Sequence, residues 1–180
     1  MREKQNYQNK ENYTISEREV KQYIIERFNE VKNSKKIKDL VNFQAMNKYM
    51  MMAHDQEELK KMGNIVASYK KRPYLEILED YEKHTRKGLE KQPTIKTHTN
   101  VIIHIFGYFS KNFNRHEREK FFNLVEKYGE EKISLGNILA EINPMVFRFN
   151  NTYLASQTYF LLYSNPQTEI LFQALNNKMT

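Results

Sequence analysis

The 180-residue chain contains no cysteine, only five glycines and no hydrophobic run that approaches the ~18 residues of a transmembrane helix. The lack of cysteine excludes disulfide bonds, iron–sulfur clusters and thiolate zinc sites, and it fits a reducing cytosol. Five glycines are too few to favour a glycine-rich loop that binds phosphate. No Walker, GxGxxG, nucleophile-elbow or Ser-His-Asp pattern occurs either. The N-terminus has no secretory signal. We expect a cytoplasmic protein with no membrane attachment and no cofactor.

The chain does have an excess of basic residues and many aromatic ones. It carries 29 Lys and Arg against 22 Asp and Glu, a formal net charge of +7, with 12 Tyr and 11 Phe. The aromatic content argues against disorder of the whole chain. A mild basic excess suits nucleic acid or another anionic partner, and it equally suits an ordinary solvated surface. We expect a flexible polar tail over residues 1–14 and one helical domain over residues 15–180.

Hydrophobic residues recur at helical spacing through most of the chain, and strand-like alternation is almost absent. We therefore predict an all-α fold, a single-domain bundle of roughly seven to nine helices. Capping boxes mark helix starts, because a polar N-cap followed three residues later by glutamate satisfies two free backbone N–H groups. These boxes begin at Ser16, Asp55 and Asn114.

The same spacing predicts the extent of individual helices. One helix is expected over residues 37–54, and a later one over residues 153–162. Pro144 is expected to stop a short helix, because proline lacks a backbone N–H. Residues 145–149 after it are the one short strand candidate. A last helix is expected from Asn165 onward, with proline in its first turn.

The helix predicted after Thr94 carries polar residues at regular spacing in an otherwise apolar segment. At 3.6 residues per turn these residues form one stripe. The stripe consists of Lys96, Asn100, His104, Gly107 and Lys111. A polar stripe through a buried helix is costly unless it finds hydrogen-bond partners. We expect a neighbouring helix or a bound ligand to supply them.

The helix predicted over residues 37–54 carries a second polar strip. Lys48 and His54 lie there beside three consecutive methionines, residues 50–52. Such methionines fill cores more often than they line ligand sites. Facing helices of a bundle commonly build a site between them. We therefore predict a cleft in which Lys48 and His54 face Asn100 and His104.

The histidines favour acid–base chemistry over metal binding. His98 and His104 are six residues apart and so point about 120° away from each other on one helix. With no cysteine and no ligand spacing, no metal site is expected. His104 follows Asn100 by one turn, and imidazole titrates near neutral pH. The candidate catalytic residues are therefore His104, His98, His54 and Lys48.

A compact basic cluster precedes the helix that begins near Pro73. It consists of Lys70, Lys71 and Arg72. Backbone N–H groups at the helix N-terminus would add to phosphate binding by these cations. The alternative is a solvated charge run with no partner, which such clusters usually are.

Three segments and one turn carry motifs of a known family. Residues 43–54 resemble the pattern F-H-x-x-x-K-Y-x-x-M-A-H, and residues 94–109 resemble T-x-x-x-H-x-N-V-x-x-H-x-x-G-Y-F. Residues 153–159 are similar to Y-L-x-x-Q-x-Y, and residues 71–73 to K-R-P. The chain thus resembles the YbgA-like family of bacterial proteins over about residues 37–170, whose function is uncharacterised.

The resemblance implies a set of ligand-binding positions. They are Lys48, His54, His98, Asn100, His104, Gln157 and Glu169. Two positions depart from the family pattern, because histidine is usual where this chain has Gln44 and Asn165. A mechanism that needs either histidine would be lost here.

Members of the family occur alone and also fused behind an iron–sulfur desulfidase that acts on thiolated uracil, including thiouridine in tRNA. The resemblance therefore implies a role in recognising RNA. This chain lacks the cysteines that hold a cluster, so a desulfidase or other modification enzyme would be a separate partner.

Three hypotheses follow, and the oligomeric state is open in each. The first is a module that binds RNA, either tRNA or a thiolated nucleotide, with His54, Asn100 and His104 at a base or ribose. Its phosphate contacts would come from Lys48, Lys70, Lys71, Arg72, Lys96 and Lys111. The second is an enzyme that uses His104 or His98 as acid–base and Lys48 as electrostatic stabiliser of a nucleotide-like substrate. The third is a structural or protein-interaction bundle, in which the polar stripes are internal hydrogen-bond networks.

Overall fold

A computed structural model describes residues 15–149 and 151–163, and within those ranges the chain forms ten α-helices and no strand. The helices are α1 (Glu17–Ser34), α2 (Ile37–Met46), α3 (Lys48–His54), α4 (Gln56–Ala67), α5 (Tyr74–Glu90), α6 (Ile95–Phe109), α7 (Arg115–Gly129), α8 (Leu135–Arg148), α9 (Thr152–Ala155) and α10 (Thr158–Tyr163). The predicted all-α class is confirmed, and eight of these helices have seven or more residues. None of the ten is long and apolar enough to cross a bilayer. The predicted tail over residues 1–14 and the helix predicted from Asn165 lie outside the described ranges.

The predicted helix starts are confirmed, with one difference. Ser16 and Asn114 both form complete capping boxes. Asp55 accepts hydrogen bonds from the backbone N–H groups of Glu57 and Glu58, at 2.9 and 3.2 Å. The Glu58 carboxylate does not return to the Asp55 backbone, because it accepts a hydrogen bond from Lys61 Nζ at 2.7 Å. The box that begins at Asp55 is therefore only half formed.

The prediction of a single helix over residues 37–54 is wrong, because Asn47 divides it into α2 and α3. Asn47 Nδ2 donates to the carbonyl oxygen of Phe43 at 2.9 Å, and Asn47 leaves helical geometry with φ −101° and ψ 7°. A side-chain amide that bonds a backbone carbonyl competes with the helix and bends it. Gln157 has the same effect on the helix predicted over residues 153–162, where it separates α9 from α10 and donates to the carbonyl oxygens of Ala45 and Tyr153.

Pro144 does not end its helix, contrary to the prediction. α8 continues through it to Arg148, so the strand predicted over residues 145–149 is also wrong. Proline removes the hydrogen bond that its N–H would have donated to the carbonyl of Ala140. Both Pro144 and Ala140 are exposed, so water can reach the free carbonyl group.

α3 lies at the centre of the bundle. Six of its seven residues are buried, and it packs against α2, α4, α5, α6 and α10. Its three methionines are 0–6% exposed, which confirms that they fill the core. Beside them the Phe28 and Tyr81 rings stack at a centroid distance of 5.5 Å, with the Phe43 ring edge-on to Phe28. The short central helix therefore sets the positions of the longer helices around it.

Gly88 permits the close approach of α5 to α3 and α4. A Cβ atom at this position would lie 2.5 Å from Met51 Cε and 3.4 Å from Glu58 Cβ. Met51 and Glu58 are both buried, so neither can move freely. A larger residue at this position would therefore force the buried Met51 side chain to shift.

We predict that Gly88→Ala lowers the free energy of unfolding by about 1–3 kcal/mol, the usual cost of overpacking a core. Urea unfolding followed by circular dichroism measures the change. Gly129→Ala is the matched control, because a Cβ atom there meets no atom within 4 Å. A Gly88→Ala variant as stable as the parent would contradict the packing argument.

Candidate functional site

α6 has one buried face and one exposed face. Thr94 caps its start, and the helix packs against α3 and α7. The buried side chains are His98, Val101, Ile102, Ile105 and Phe109. The predicted polar stripe lies on the other side, where Asn100 is half-buried and the other four residues are exposed. The expectation that this stripe is buried is therefore wrong, because four of its five residues are open to solvent, which can satisfy their polar groups.

The exposed side of α6 is bordered by aromatic residues. We call it the α6 face and define it as Lys96, Asn100, His104, Gly107, Tyr108 and Lys111. Tyr108 is 46% exposed and stacks on Tyr153 of α9 at a centroid distance of 5.9 Å. Tyr108 also lies near Tyr49 of α3, since burial and, after it, the Tyr108 hydroxyl group raise the pKa of the Tyr49 hydroxyl group, and the Tyr49 ring lies 5.8 Å from Lys48 Nζ. Tyr153 thus borders the α6 face, and Lys48 lies beyond Tyr49.

The α6 face lies in a part of the chain with no negative charge. No aspartate or glutamate occurs between Glu90 and Glu117. Lys91 and Arg115, also in that interval, are paired with Asp55 and Glu119. Lys96 and Lys111 form no ion pair within the described ranges, so they give the α6 face a positive potential.

Gly107 has no structural reason to be glycine. It lies inside α6 with a negative φ angle, and a Cβ atom there would meet nothing within 4 Å. Glycine inside a helix is less stable than alanine by roughly 0.5–1 kcal/mol. A glycine that is costly to the fold and exposed on its surface allows another molecule to approach the helix backbone closely.

His54 belongs to a buried group of side chains that joins four helices. We call this group the buried histidine cluster and define it as Glu17, His54, His98, Tyr159 and Tyr163. His54 Nδ1 donates to the carbonyl oxygen of Lys91 at 2.7 Å, and a carbonyl group only accepts, so Nδ1 carries the proton. His54 Nε2 lies 3.4 Å from Glu17 Oε2, and Tyr163 donates to Glu17 Oε1 at 2.8 Å.

His98 completes the cluster from α6. Its Nδ1 atom and the Tyr159 hydroxyl group form a hydrogen bond of 2.8 Å, and its ring meets Tyr163 edge-on at 5.2 Å. Burial, with a smaller contribution from nearby His54, lowers the pKa of His98 to about 4. Burial also lowers the pKa of His54, although its Lys91 hydrogen bond and Glu17 oppose the shift. Both imidazoles are therefore neutral at pH 7, with His54 bonded to Lys91 and His98 bonded to Tyr159, while His54 Nε2 and Glu17 Oε2 find no hydrogen-bond partner in the described ranges.

Gln157 is buried and joins two helix junctions. Its Oε1 atom accepts from the Tyr49 backbone N–H at 3.4 Å, and its Nε2 atom donates to the Ala45 carbonyl at 2.8 Å. The side chain therefore ties the α9–α10 junction to the α2–α3 junction. Glu169, predicted as a ligand-binding residue, lies outside the described ranges.

The predicted cleft between Lys48 with His54 and Asn100 with His104 does not form. His54 is 3% exposed and turned toward Glu17 and the Lys91 carbonyl, whereas His104 is exposed and makes no hydrogen bond to any described residue. Asn100 makes a long hydrogen bond of 3.5 Å to Gln56 at the start of α4. The structure thus separates His54 from Asn100 and His104, and Lys48 lies over the ring of its neighbour Tyr49.

The predicted basic cluster occupies the turn after α4. Arg72 is paired with Asp80 and Glu76, Lys70 lies over the Tyr69 ring, and Lys71 is exposed. α4 runs about 17 Å from Gln56, which contacts Asn100, to this turn. The cluster is therefore a surface separate from the α6 face, and its Arg72 side chain already forms ion pairs with Asp80 and Glu76.

Sequence reasoning missed two acidic residues. Glu17 lies outside the family resemblance, and a helix N-terminus gives no sign of a contact with His54. Glu58 is 2% exposed and is paired with Lys61, Lys87 and His84. Burial alone would raise the pKa of its carboxyl group, but the hydrogen bonds from these partners lower it to about 2.

Comparison with known proteins places these residues in a family. Residues 48–164 match the family described as protein of unknown function (DUF1722). The chain belongs to this family. It is also 27% identical over 128 residues to the uncharacterized protein YbgA of Escherichia coli (strain K12), which covers 69% of this chain and 74% of that protein. No solved structure matches.

The family region begins at the first residue of α3 and so includes the α6 face and most of the buried histidine cluster. Glu17 and the departure at Gln44 precede it. Gln44 Oε1 accepts a hydrogen bond of 2.5 Å from the Tyr81 hydroxyl group, so in this chain the position joins α2 to α5.

We predict that His98 makes stability depend on pH. Well above pH 6.5 His98 is neutral in both the folded and the unfolded chain, so it contributes no pH dependence there. As the pH falls from 6.5 toward 4, His98 takes up a proton in the unfolded chain but not in the folded one. The free energy of unfolding should therefore fall across this window, by about 3 kcal/mol for this residue.

The variant His98→Gln tests whether His98 causes this pH dependence. Glutamine keeps a hydrogen-bond partner for Tyr159 but cannot take up a proton between pH 4 and 6.5. Urea unfolding of both proteins at a series of pH values should give a smaller pH slope for the variant. The same slope in both proteins would show that His98 does not carry this effect.

Proposed function

We propose that this protein is a helical module that binds RNA through the α6 face. The observation that carries the proposal is the exposed strip of cationic, amide, imidazole and aromatic side chains around a helical glycine. Basic residues with interleaved aromatic rings are typical of surfaces that bind nucleic acid. Three of these side chains, Lys96, His104 and Lys111, are exposed and form no ion pair or hydrogen bond with a described residue, so the fold does not depend on them.

Each part of the α6 face has a role suited to RNA. Lys96 lies in the first turn of α6 and Lys111 lies two residues after its last residue, so they stand at the two ends of a strip about as long as the helix, roughly 20 Å, where they would contact phosphates. Asn100 and His104 offer donors and acceptors to base edges or to a ribose 2′-hydroxyl group. Tyr108 offers an aromatic ring for base stacking. Gly107 lets the sugar-phosphate backbone or a base approach the helix.

The kind of RNA is proposed from the family resemblance. We take it to be tRNA or an RNA with a thiolated nucleotide, and we expect a separate modification enzyme to act on it. Lys48 and Tyr153 would extend the contact beyond α6. His98 is 7% exposed and bonded to Tyr159, so it serves this function by holding α6 in place.

We predict opposite effects of Gly107→Ala on stability and on binding. The variant should raise the free energy of unfolding by about 0.5–1 kcal/mol, because alanine is the better helix former. It should weaken the binding of a fluorescent tRNA several-fold, because the added methyl group keeps the ligand from the helix. Fluorescence anisotropy and urea unfolding measure the two effects.

Gly129→Ala on α7 is the control for the previous variant, since its added methyl group also meets open space. It should leave tRNA binding unchanged. Equal tRNA affinity of Gly107→Ala and the parent would remove Gly107 from the binding surface, and no tRNA binding by the parent at low salt would refute the proposed function.

We also predict that binding weakens steeply with salt and that the α6 lysines contribute to this dependence. Each lysine that contacts a phosphate adds about one unit to the slope of log K against log salt. The double variant Lys96→Gln with Lys111→Gln should therefore reduce the slope by about two units. The matched variant Lys70→Gln with Lys71→Gln should retain it. The reverse pattern would place the RNA at the turn after α4.

A further inference from the structure

An open groove of about 920 Å³ runs along α7. We call it the α7 groove and define it by Phe113, Arg115, Arg118, Glu119, Phe122 and Glu126. The Phe122 side chain in its wall is 49% exposed, although phenylalanine is most often buried. A large aromatic ring that the described part of the chain leaves half open is accessible to another molecule.

Packing holds the Phe122 ring in place and joins it to α6. The ring meets Phe106 of α6 edge-on at a centroid distance of 5.1 Å, and Phe121 edge-on at 5.5 Å. Phe106 is half-buried and directly precedes Gly107, and Ile103, which is 46% exposed, lies one turn before Gly107. Apolar surface therefore continues from the glycine of the α6 face, past Ile103 and Phe106, to the α7 groove.

The charges of the α7 groove cancel. Arg115 is paired with Glu119 at 2.8 Å, and the other two charged residues of the groove are Arg118 and Glu126. A phosphate group would therefore meet as many carboxylates as guanidinium groups, whereas an uncharged aromatic ring would meet the accessible part of Phe122. The groove thus suits the base of a nucleotide, and the phosphates fit the lysines of the α6 face.

We propose that RNA bound on the α6 face places an unpaired base in the α7 groove, where the base stacks on Phe122. This inference rests on the proposed function and narrows its ligand to RNA with a single-stranded segment. In a duplex each base is paired and stacked on its neighbours, so only an unpaired base can leave the strand and stack on a side chain. The stacking does not select one base, because every base has an aromatic face.

The test makes use of the absence of tryptophan from the chain. Phe122→Trp introduces a single indole ring, and a base that stacks on this ring quenches its fluorescence. The full-length variant is titrated at low salt with tRNA, which has unpaired bases in its loops and at its 3′ end, and with an RNA duplex. Anisotropy of a fluorescent tRNA follows binding in parallel. We expect tRNA to quench the indole fluorescence saturably as it binds, and the duplex to leave it unchanged.

Two further variants complete the test. Val41→Trp places the same indole ring on α2, at a position that is 42% exposed on a helix that packs against α1, α3 and α4. tRNA should leave its fluorescence unchanged. Phe122→Leu keeps an apolar side chain against Phe106 but removes the aromatic ring, and it should bind fluorescent tRNA at least about fivefold more weakly than the parent. Circular dichroism confirms that the variants fold.

The outcomes separate this inference from the proposed function. Binding of tRNA to Phe122→Trp without quenching, or with the same quenching as in Val41→Trp, would overturn the stacking and leave RNA binding by the α6 face intact. Equal tRNA affinity of Phe122→Leu and the parent would overturn it as well. Equal quenching by the duplex would show that no unpaired base is required. No tRNA binding by the parent at low salt would refute the proposed function, and this inference with it.

Discussion

The hydrogen bond from His54 to the carbonyl oxygen of Lys91 fixes the geometry on which the rest of the structure depends. His54 is the last residue of the central helix α3, and Lys91 follows the last residue of α5, at the start of the short link to α6. Lys91 Nζ is also held, by Asp55 at 2.6 Å. Both the backbone and the side chain of this one residue are thus tied to the end of α3. The connection thus ties the start of α6 to the end of α3, and the packing of α6 against α3 and α7 sets the direction of its exposed face.

The buried histidine cluster explains why this connection is polar. A helix end that is buried leaves carbonyl groups without partners, and each costs about 1–3 kcal/mol if it stays unpaired. His54 satisfies one of these carbonyls and its other nitrogen faces Glu17 of α1. His98 and Tyr159 extend the network to α6 and α10. A neutral imidazole suits the position of His54, because its protonated Nδ1 atom donates to the carbonyl group without placing a charge in the core.

The motif of residues 94–109 therefore divides between two roles on one helix. His98 faces inward and anchors α6, whereas Asn100, His104, Gly107 and Tyr108 face outward or lie at the edge. The two sets alternate because a helix turns through 100° per residue, so neighbours in sequence lie on different faces. A shared motif consequently need not mean a shared site. Lys48 joins the outward set, and Gln157 joins the inward set.

Much of the fold could be predicted from hydrophobic spacing and capping residues, because both are local. The breaks at Asn47 and Gln157 could not, since they depend on amide contacts such as that of Gln157 with Tyr49, 108 residues away in sequence. Hydrophobic spacing predicted correctly which residues of α6 share a stripe. It did not predict whether that stripe is buried, because periodicity does not show which side of a helix its neighbours cover. The contact of His54 with Glu17 could not be predicted from the sequence either, because no local pattern relates the two segments that it joins.

Protection of lysines from acetylation by bound tRNA tests the central claim most directly, namely that RNA covers the exposed side of α6. The full chain is treated with an acetylating reagent at low salt, with and without tRNA, and the modification of each lysine is measured by mass spectrometry. The account predicts that tRNA protects Lys96 and Lys111 and leaves Lys70 and Lys71 reactive. Protection of Lys70 and Lys71 with none at Lys96 and Lys111 would contradict it.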